Sequence, residues 1–476
     1  MKNYLIISGL SLMTLASCTK DISRFNDETK NPASAPAEML FSNGVRNLMD
    51  GLNSPNVNTN VLRFTVQHWA ATTYQDEPNY DFTTRNIPQA WWTRMYRDVL
   101  ADLKESKKNV EAVAVMNEDT RKNQLAIIDI MQVYTFNVLV NSFGNVPYSE
   151  ALDYDNLFPK YDDAKTIYAD LLTRLNADIA ALNTEGAGFS ESADFFYQGN
   201  IAKWIRFANT LKMRMAMTVA DVETSTAQTA IEQASAGAIT SAADDAIFQY
   251  LKTTPNTNPI WNDLVQSGRQ DMVAGKPLLD QLTAMSDPRK TQFFAPNSDG
   301  AFNGGIVGAN NTYSLTARPS EKFEEPDMPG VVIDYVEAEF LRAEAIERGF
   351  AVGGTAAEHY HNAIKASILA WGGTEAEAAA YLARPDVNYL TAAGDWKEKI
   401  GFQKWIALHN RPVEGWTELR RLDQPKLAEP AAPKSGFPTR FTYPNNEQQL
   451  NPANYTEAAS TIGGDKVETK LFWDKF

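Results

Sequence analysis

Apolar residues recur three or four positions apart through most of this chain, and that spacing dictates helix. Trp92, Tyr96, Val99 and Leu103 form one such stripe and predict a helix over 91–109. A second is predicted over 121–141, stopped by Gly144 and then Pro147. Asp162 or Asp163 stands where an N-cap belongs, ahead of a stripe of Tyr168, Leu171, Leu172, Leu175, Ile179 and Leu182. Trp204, Phe207, Leu211 and Met215 predict a helix over 201–220, and a shorter one is expected over 226–236. Ile333, Val336, Phe340 and Ala343 predict 331–348, with Gly349 as its stop. Further helices are expected over 356–370, 396–410 and 412–422, the last opened by Pro412.

These helices come in consecutive pairs. A pair cannot bury both of its apolar stripes alone, so the pairs must stack. The expected fold class is therefore mostly α, a tetratricopeptide-like scaffold of paired helices, although no strict repeat of about 34 residues is present. Between about 238 and 330 the periodicity fails, and Asn, Gly, Pro and Ser dominate, as in Asn256-Thr257-Asn258-Pro259. A long irregular insertion in a compact protein is usually functional. The final fifty residues, rich in Pro and Asn, are also expected to be irregular.

The first residues read as an address. Lys2 is followed by an apolar run from Tyr4 to Ala16, too short to span a bilayer. Its exit, Leu15-Ala16-Ser17-Cys18, resembles the lipobox of bacterial lipoproteins. That resemblance implies cleavage before Cys18, lipidation of its thiol and stable anchoring by several acyl chains. Lys20-Asp21 partly resembles the surface-export signal of Bacteroidetes lipoproteins. The expected organisation is a signal peptide over 1–17, a lipidated flexible tether over 18–37, and a single helical body over 38–476.

Composition removes several functions. Cys18 is the only cysteine, which excludes an internal disulfide and cysteine-cluster metal sites. The net charge of −15 argues against a nucleic-acid partner, which needs a basic surface. Of the four histidines, His359 and His361 are two apart on a helix and face apart, so they make a poor metal pair; His68 and His409 stand alone. No His-Glu-x-x-His, Gly-x-Ser-x-Gly or phosphate-loop motif occurs, so no enzyme is expected. No cofactor is expected either, with a structural calcium left open.

Several segments together resemble SusD/RagB-type nutrient-binding lipoproteins. Gly144-Asn145-Val146-Pro147-Tyr148-Ser149-Glu150-Ala151 is similar to that family's turn signature. Trp204 to Arg214, Glu337 to Ala345 and Glu414 to Arg421 are similar to three of its helices, and Phe437-Pro438 with Arg440 fits its C-terminal region. The resemblance implies an outer-membrane lipoprotein facing the cell exterior, partnered by a SusC-type TonB-dependent β-barrel transporter. It implies capture of a glycan or peptide by a hinged lid. Peptide binding, or a helical adaptor tethering surface enzymes, are the alternatives. Within these segments, Arg420, Arg421 and Glu344 are expected to form ion pairs between helices.

Candidate ligand contacts follow from ring chemistry, because flat aromatic faces stack on sugars and peptides alike. Trp69, Tyr74 and Tyr80 lie in an aromatic stretch beside Asp76 and Asn79. Trp261, Arg269, Asn310 and Tyr313 lie in the irregular insertion. Trp69 is equally suited to a packed core.

Overall fold

The computed structural model describes residues 35–476. The expected signal peptide, Cys18 and the tether up to residue 34 lie outside the described residues. The end of the tether is earlier than expected. A helix begins at Ala37, and the Ala35 and Ala37 carbonyls already accept hydrogen bonds from Asn109 (2.9 Å) and Ser106 (2.7 Å).

The central element is the helix Glu118–Phe143. Asn117 caps it by accepting from the Thr120 amide (3.0 Å), and Gly144, at φ +87°, ends it. It is long and apolar enough to cross a bilayer, but that apolar stretch is 94% buried within the protein, so it is a core helix. Ala101–Ala112, Ala164–Ala181 and Ile201–Thr218 pack around it. Ile201–Thr218 then pairs with Thr224–Ser235, Tyr335–Glu347 with Ala356–Ala370, and Trp396–Ala407 with Pro412–Leu422. The stacked pairs form the mostly α, tetratricopeptide-like scaffold that the periodicity requires. Starts are set by side chains: Asp163, Asn200 and Asp334 cap their helices, and Thr355, Thr374 and Asp395 each complete a capping box with a Glu three residues on.

Several elements differ from expectation. The helix Ala37–Asn53 buries Phe41, Val45, Leu48, Met49 and Leu52. Gly44 and Gly51 make it look broken in sequence, yet both are contact points. A Cβ on Gly44 would stand 3.2 Å from the Val99 carbonyl, and one on Gly51 would stand 2.5 Å from Arg94. The predicted 91–109 helix begins at Ile87 and widens into a π-helical stretch over Arg94–Leu100. Residues 331–333 are strand rather than helix. Gly330–Ile333 pairs antiparallel with Ala246–Phe248, as the β-branched run Val331-Val332-Ile333 favours, and Asp334 caps the helix after it. Glu375–Leu382 is a further helix. The 238–330 insertion contains the helix Lys276–Ala284 and strands that pair back onto the body. The last fifty residues include the helix Pro452–Thr461.

Buried charge ties the pairs together. Arg214 meets Glu337 at 2.5 and 2.6 Å, and Glu337 also receives Arg411. Arg421 meets Glu344 at 2.5 and 2.6 Å and Glu418 at 2.5 Å, while Arg348 bridges Glu344 (2.8 Å) and Asp221 (2.9 Å). Burial opposes ionisation of Glu344, but Arg421 and Arg348 outweigh it and pull the carboxyl down to about 2. Arg420 corrects the expected pairing. Its guanidinium lies 3.7 Å from the Trp416 ring and 4.9 Å from that of Trp473, and donates to the carbonyls of Asn141 and Thr439.

Glu344→Ala removes the carboxylate that Arg421 and Arg348 share and leaves each guanidinium with one partner, Glu418 and Asp221. It is expected to cost about 3 kcal/mol, read from urea unfolding. Asp178 behaves oppositely. Burial, and then the neighbouring Asp129 carboxylate, push it from 3.8 up to about 8. The folded state therefore holds a proton that the unfolded state releases, and this contribution to stability is lost as pH rises from about 4 through 8. Asp178→Asn keeps a donor toward Asp129 and removes the titration. It is expected to raise Tm by roughly 1–3 °C at pH 9 and leave it unchanged at pH 4.

Candidate ligand-binding site

The predicted site residues converge on a two-stranded ribbon. Trp69–Ala71 pairs antiparallel with Met272–Ala274, with Trp69 opposite Ala274, Ala70 opposite Val273 and Ala71 opposite Met272. The ladder continues one step, from the Thr72 amide to the Asp271 carbonyl (3.0 Å). An N-terminal segment and the insertion are thereby joined, which their separation of about two hundred residues conceals in the sequence.

A strand sends alternate side chains to opposite faces. Trp69, Ala71, Met272 and Ala274 enter the main core, whereas Ala70 and Val273 point to the other face and are buried there in a small cluster with Val307, against Tyr313. Trp69 is fully buried, with its ring edge-on to Phe323 at 5.5 Å and Arg63 at 5.2 Å. It supports the site from below and presents no face to a ligand. Tyr80 is also buried, edge-on to Phe437 at 5.9 Å, with its hydroxyl accepting from Gln67 (3.3 Å). For these two residues the expectation of a stacking ring is corrected, because strand alternation and core packing claim them.

Tyr74 is 40% exposed. Its backbone is left-handed (φ +57°), a conformation that costs an aromatic residue about 1 kcal/mol or more and that clusters at ligand sites. Arg85 lies 4.7 Å from its ring centroid and Arg269 lies 5.5 Å from it. Arg269 donates to Asp271 (3.0 Å), and Arg85 pairs with the buried Glu77. Burial raises the carboxyls of Glu77 and Asp263, which stand close to these cations. Each guanidinium thus has at least one carboxylate, Arg269 having Asp271 and Asp263 and Arg85 having Glu77, so no cation beside Tyr74 is left unmatched.

The other predicted residues flank this centre. Tyr313 is half-buried on the outer face of the ribbon. Asn310 is exposed, because its neighbour Asn311 makes the structural bonds, donating to the carbonyls of Ala71 (2.8 Å), Ile306 (3.0 Å) and Ala309 (3.0 Å). Trp261 is half-buried in the short helix Pro259–Trp261 that leads to Arg269, and no contact joins it to Tyr74. Sequence reasoning missed Arg85 and Asn311; only the folded ribbon brings them to the others. A cavity of about 350 Å³ adjoins this face, lined by Gln67, Ile306, Val307 and Trp405. Another of about 820 Å³ lies beside the helix Ala37–Asn53, against Phe195 and Phe248, and holds none of the predicted residues. Among the described residues no three His, Cys, Asp or Glu side chains converge as a metal-ligand set.

A family model for SusD-like proteins, described as starch-binding and associating with the outer membrane, matches residues 29–444. The chain belongs to the SusD-like family. Solved structures agree over nearly the whole fold. A chitin-binding protein is 25% identical, with a TM-score of 0.81 over 92% of this chain and 100% of that one. A chitin-binding SusD homologue from Flavobacterium johnsoniae is 23% identical, with a TM-score of 0.79 over 92% of this chain and 98% of its own. A SusD homologue from Bacteroides fragilis is 21% identical, with a TM-score of 0.80 over 93% and 100%. No match to a curated protein sequence was found. As a SusD-like chain, it carries its motif residues mainly as architecture. Asn145 ties the turn after the central helix to the Ala164 amide (2.9 Å), and Trp204 donates to Asp194 (2.7 Å).

Trp69→Ala empties a fully buried site under the ribbon and is expected to lose about 3–5 kcal/mol. Tyr74→Ala removes an exposed ring and is expected to move Tm by less than about 1 °C. Thermal unfolding of the two variants separates a supporting ring from a presented one.

Proposed function

We propose that this SusD-like chain captures a neutral glycan at the outer face of the outer membrane. In this reading it delivers the glycan to a SusC-type TonB-dependent β-barrel, over which it closes as a hinged lid. Lipidated Cys18 holds it to the membrane. The carrying observation is Tyr74, an exposed ring in the turn just past the ribbon strand Trp69–Ala71, whose neighbouring cations are each matched by a carboxylate. Such a platform offers stacking and hydrogen bonds with no unmatched cation, which suits an uncharged sugar better than an anionic ligand. The structural relative that is 25% identical is a chitin-binding protein, which supports the same reading. The part played is binding rather than catalysis. Closure follows if ligand and barrel bind the closed state more tightly than the open one.

Chitooligosaccharides and maltooligosaccharides, titrated calorimetrically into the chain, test the glycan reading. At least one series is expected to bind, with Tyr74→Ala and Arg269→Ala each weakening it roughly 5- to 10-fold, or about 1–1.4 kcal/mol. Binding of a peptide library with no response to either sugar series would replace a glycan with a peptide. Co-purification from membranes is expected to yield a β-barrel in equal amount. Its absence would favour the adaptor reading.

A further inference from the structure

A second cavity, of about 560 Å³, opens between two helix ends and the strand Gly330–Ile333. Its volume falls within the roughly 300–1,000 Å³ range of small-molecule sites. One wall is Trp371, half-buried at the end of Ala356–Ala370 and held edge-on to Phe293 at 4.7 Å. Another is the segment His409-Asn410-Arg411, just past Trp396–Ala407.

His409 is the unusual member. It is buried, stacked on Phe293 at 4.1 Å, and neither of its ring nitrogens has a hydrogen-bond partner. His68, 5.3 Å away ring to ring, supplies none, and its own nitrogens are also unpartnered. Both nitrogens are also closed off from the cavity by the surrounding rings, so His409 backs the wall and the hydrogen bonds to a ligand fall to its neighbours. Other groups on the cavity wall have capacity in reserve. Asn410 uses its oxygen to accept from Arg63 (2.7 Å), which leaves its amide hydrogens free. Gln249 uses its amide hydrogens on the Asp327 carbonyl (2.8 Å) and the Tyr250 carbonyl (3.2 Å), which leaves its oxygen as an acceptor.

Charge on the walls balances. Arg411 is matched by Asp334 (3.0 Å) and Glu337, Lys252 by Asp327 (3.8 Å), and the rim adds Lys322 and Glu325. An aromatic wall, uncommitted donors and acceptors, and no net field describe a receptor for a small uncharged polyhydroxyl ligand. We propose that this cavity is a second saccharide site, taking a neutral mono- or disaccharide unit. Its ligand class rests on the glycan reading of the Tyr74 platform; its location does not. The supports of the two sites are joined in the core, since the buried Phe323 packs on Trp69 at 5.5 Å and on Trp371 at 5.8 Å.

The test titrates the full chain, purified in detergent, with maltose and with N,N′-diacetylchitobiose up to tens of millimolar, reading heat and tryptophan fluorescence. Ala370→Phe fills the cavity from an exposed helix position, and His409→Phe keeps the stack on Phe293 while deleting both nitrogens. For at least one disaccharide, two binding events are expected. Ala370→Phe should weaken only the second, at least 10-fold, and Tyr74→Ala only the first. His409→Phe should raise Tm by deleting two unpartnered buried nitrogens and leave both binding events unchanged, because those nitrogens do not reach the cavity. One binding event, unchanged in Ala370→Phe and lost in Tyr74→Ala, overturns the second site and leaves the first. Binding sensitive to Ala370→Phe but not to Tyr74→Ala supports the cavity and overturns the platform. Absence of binding by either sugar overturns both.

Discussion

Glu337 and Glu344 lie buried on one helix, two turns apart; Glu337 is gripped by Arg214 and Arg411 from elsewhere in the chain, and Glu344 by Arg421 and by Arg348 at the end of its own helix. The geometry of the stacked pairs depends on these contacts. Apolar stripes will pack in several registers at similar energy, because the hydrophobic effect is non-directional. A carboxylate taken out of water is stable only where its guanidiniums meet it, and a slipped register would strand both charges. Arg214 from one pair, Arg421 from another and Arg411 from the connection before it all point into Tyr335–Glu347. That helix is thus the common partner of two otherwise separate segments, Ile201–Thr218 and Pro412–Leu422 with the residue that precedes it.

The ribbon inherits its position from this scaffold. Met272–Ala274 leads directly into Lys276–Ala284, whose Leu278, Leu279 and Leu282 are buried in the main core. Trp69 is packed on Phe323, and Trp405 donates to the Val66 carbonyl (2.9 Å) just before the other strand. Gly275 approaches the Gln67 carbonyl so closely that a Cβ there would stand 2.3 Å from it. With its back fixed in this way, the ribbon can hold Tyr74 in a strained left-handed turn and still present an ordered ring. A binding platform on a rigid base loses less entropy when the ligand arrives.

Legibility in the sequence followed the range of the interactions. The 412–422 and 356–370 helices were readable to the residue because Pro412, Thr355 and the stripes between them are local signals. Ala37–Asn53 was not read, since Gly44 and Gly51 signal a break locally and close packing only in three dimensions. Residues 331–333 fit helical spacing as well as strand, and only Ala246–Phe248 alongside decides between them. The ion pairs were half legible. Arg421 and Glu344 meet as expected, but Arg420, beside one of them, turns into an aromatic sandwich because it projects from another side of the helix.

The sequence by itself determined a mostly α body of stacked helix pairs and an acidic balance with a single cysteine, because these rest on composition and on spacings within a few residues. It also named Tyr74, Arg269, Asn310 and Tyr313 as ring and polar candidates. Only the tertiary structure decided that Tyr74 and Arg269 meet, that Trp69 and Tyr80 are support, and that Arg85 and Asn311 belong beside them. The reason is the ribbon: its two strands lie about two hundred residues apart, and its period of two assigns each side chain to core or solvent only once the pairing partner and register exist.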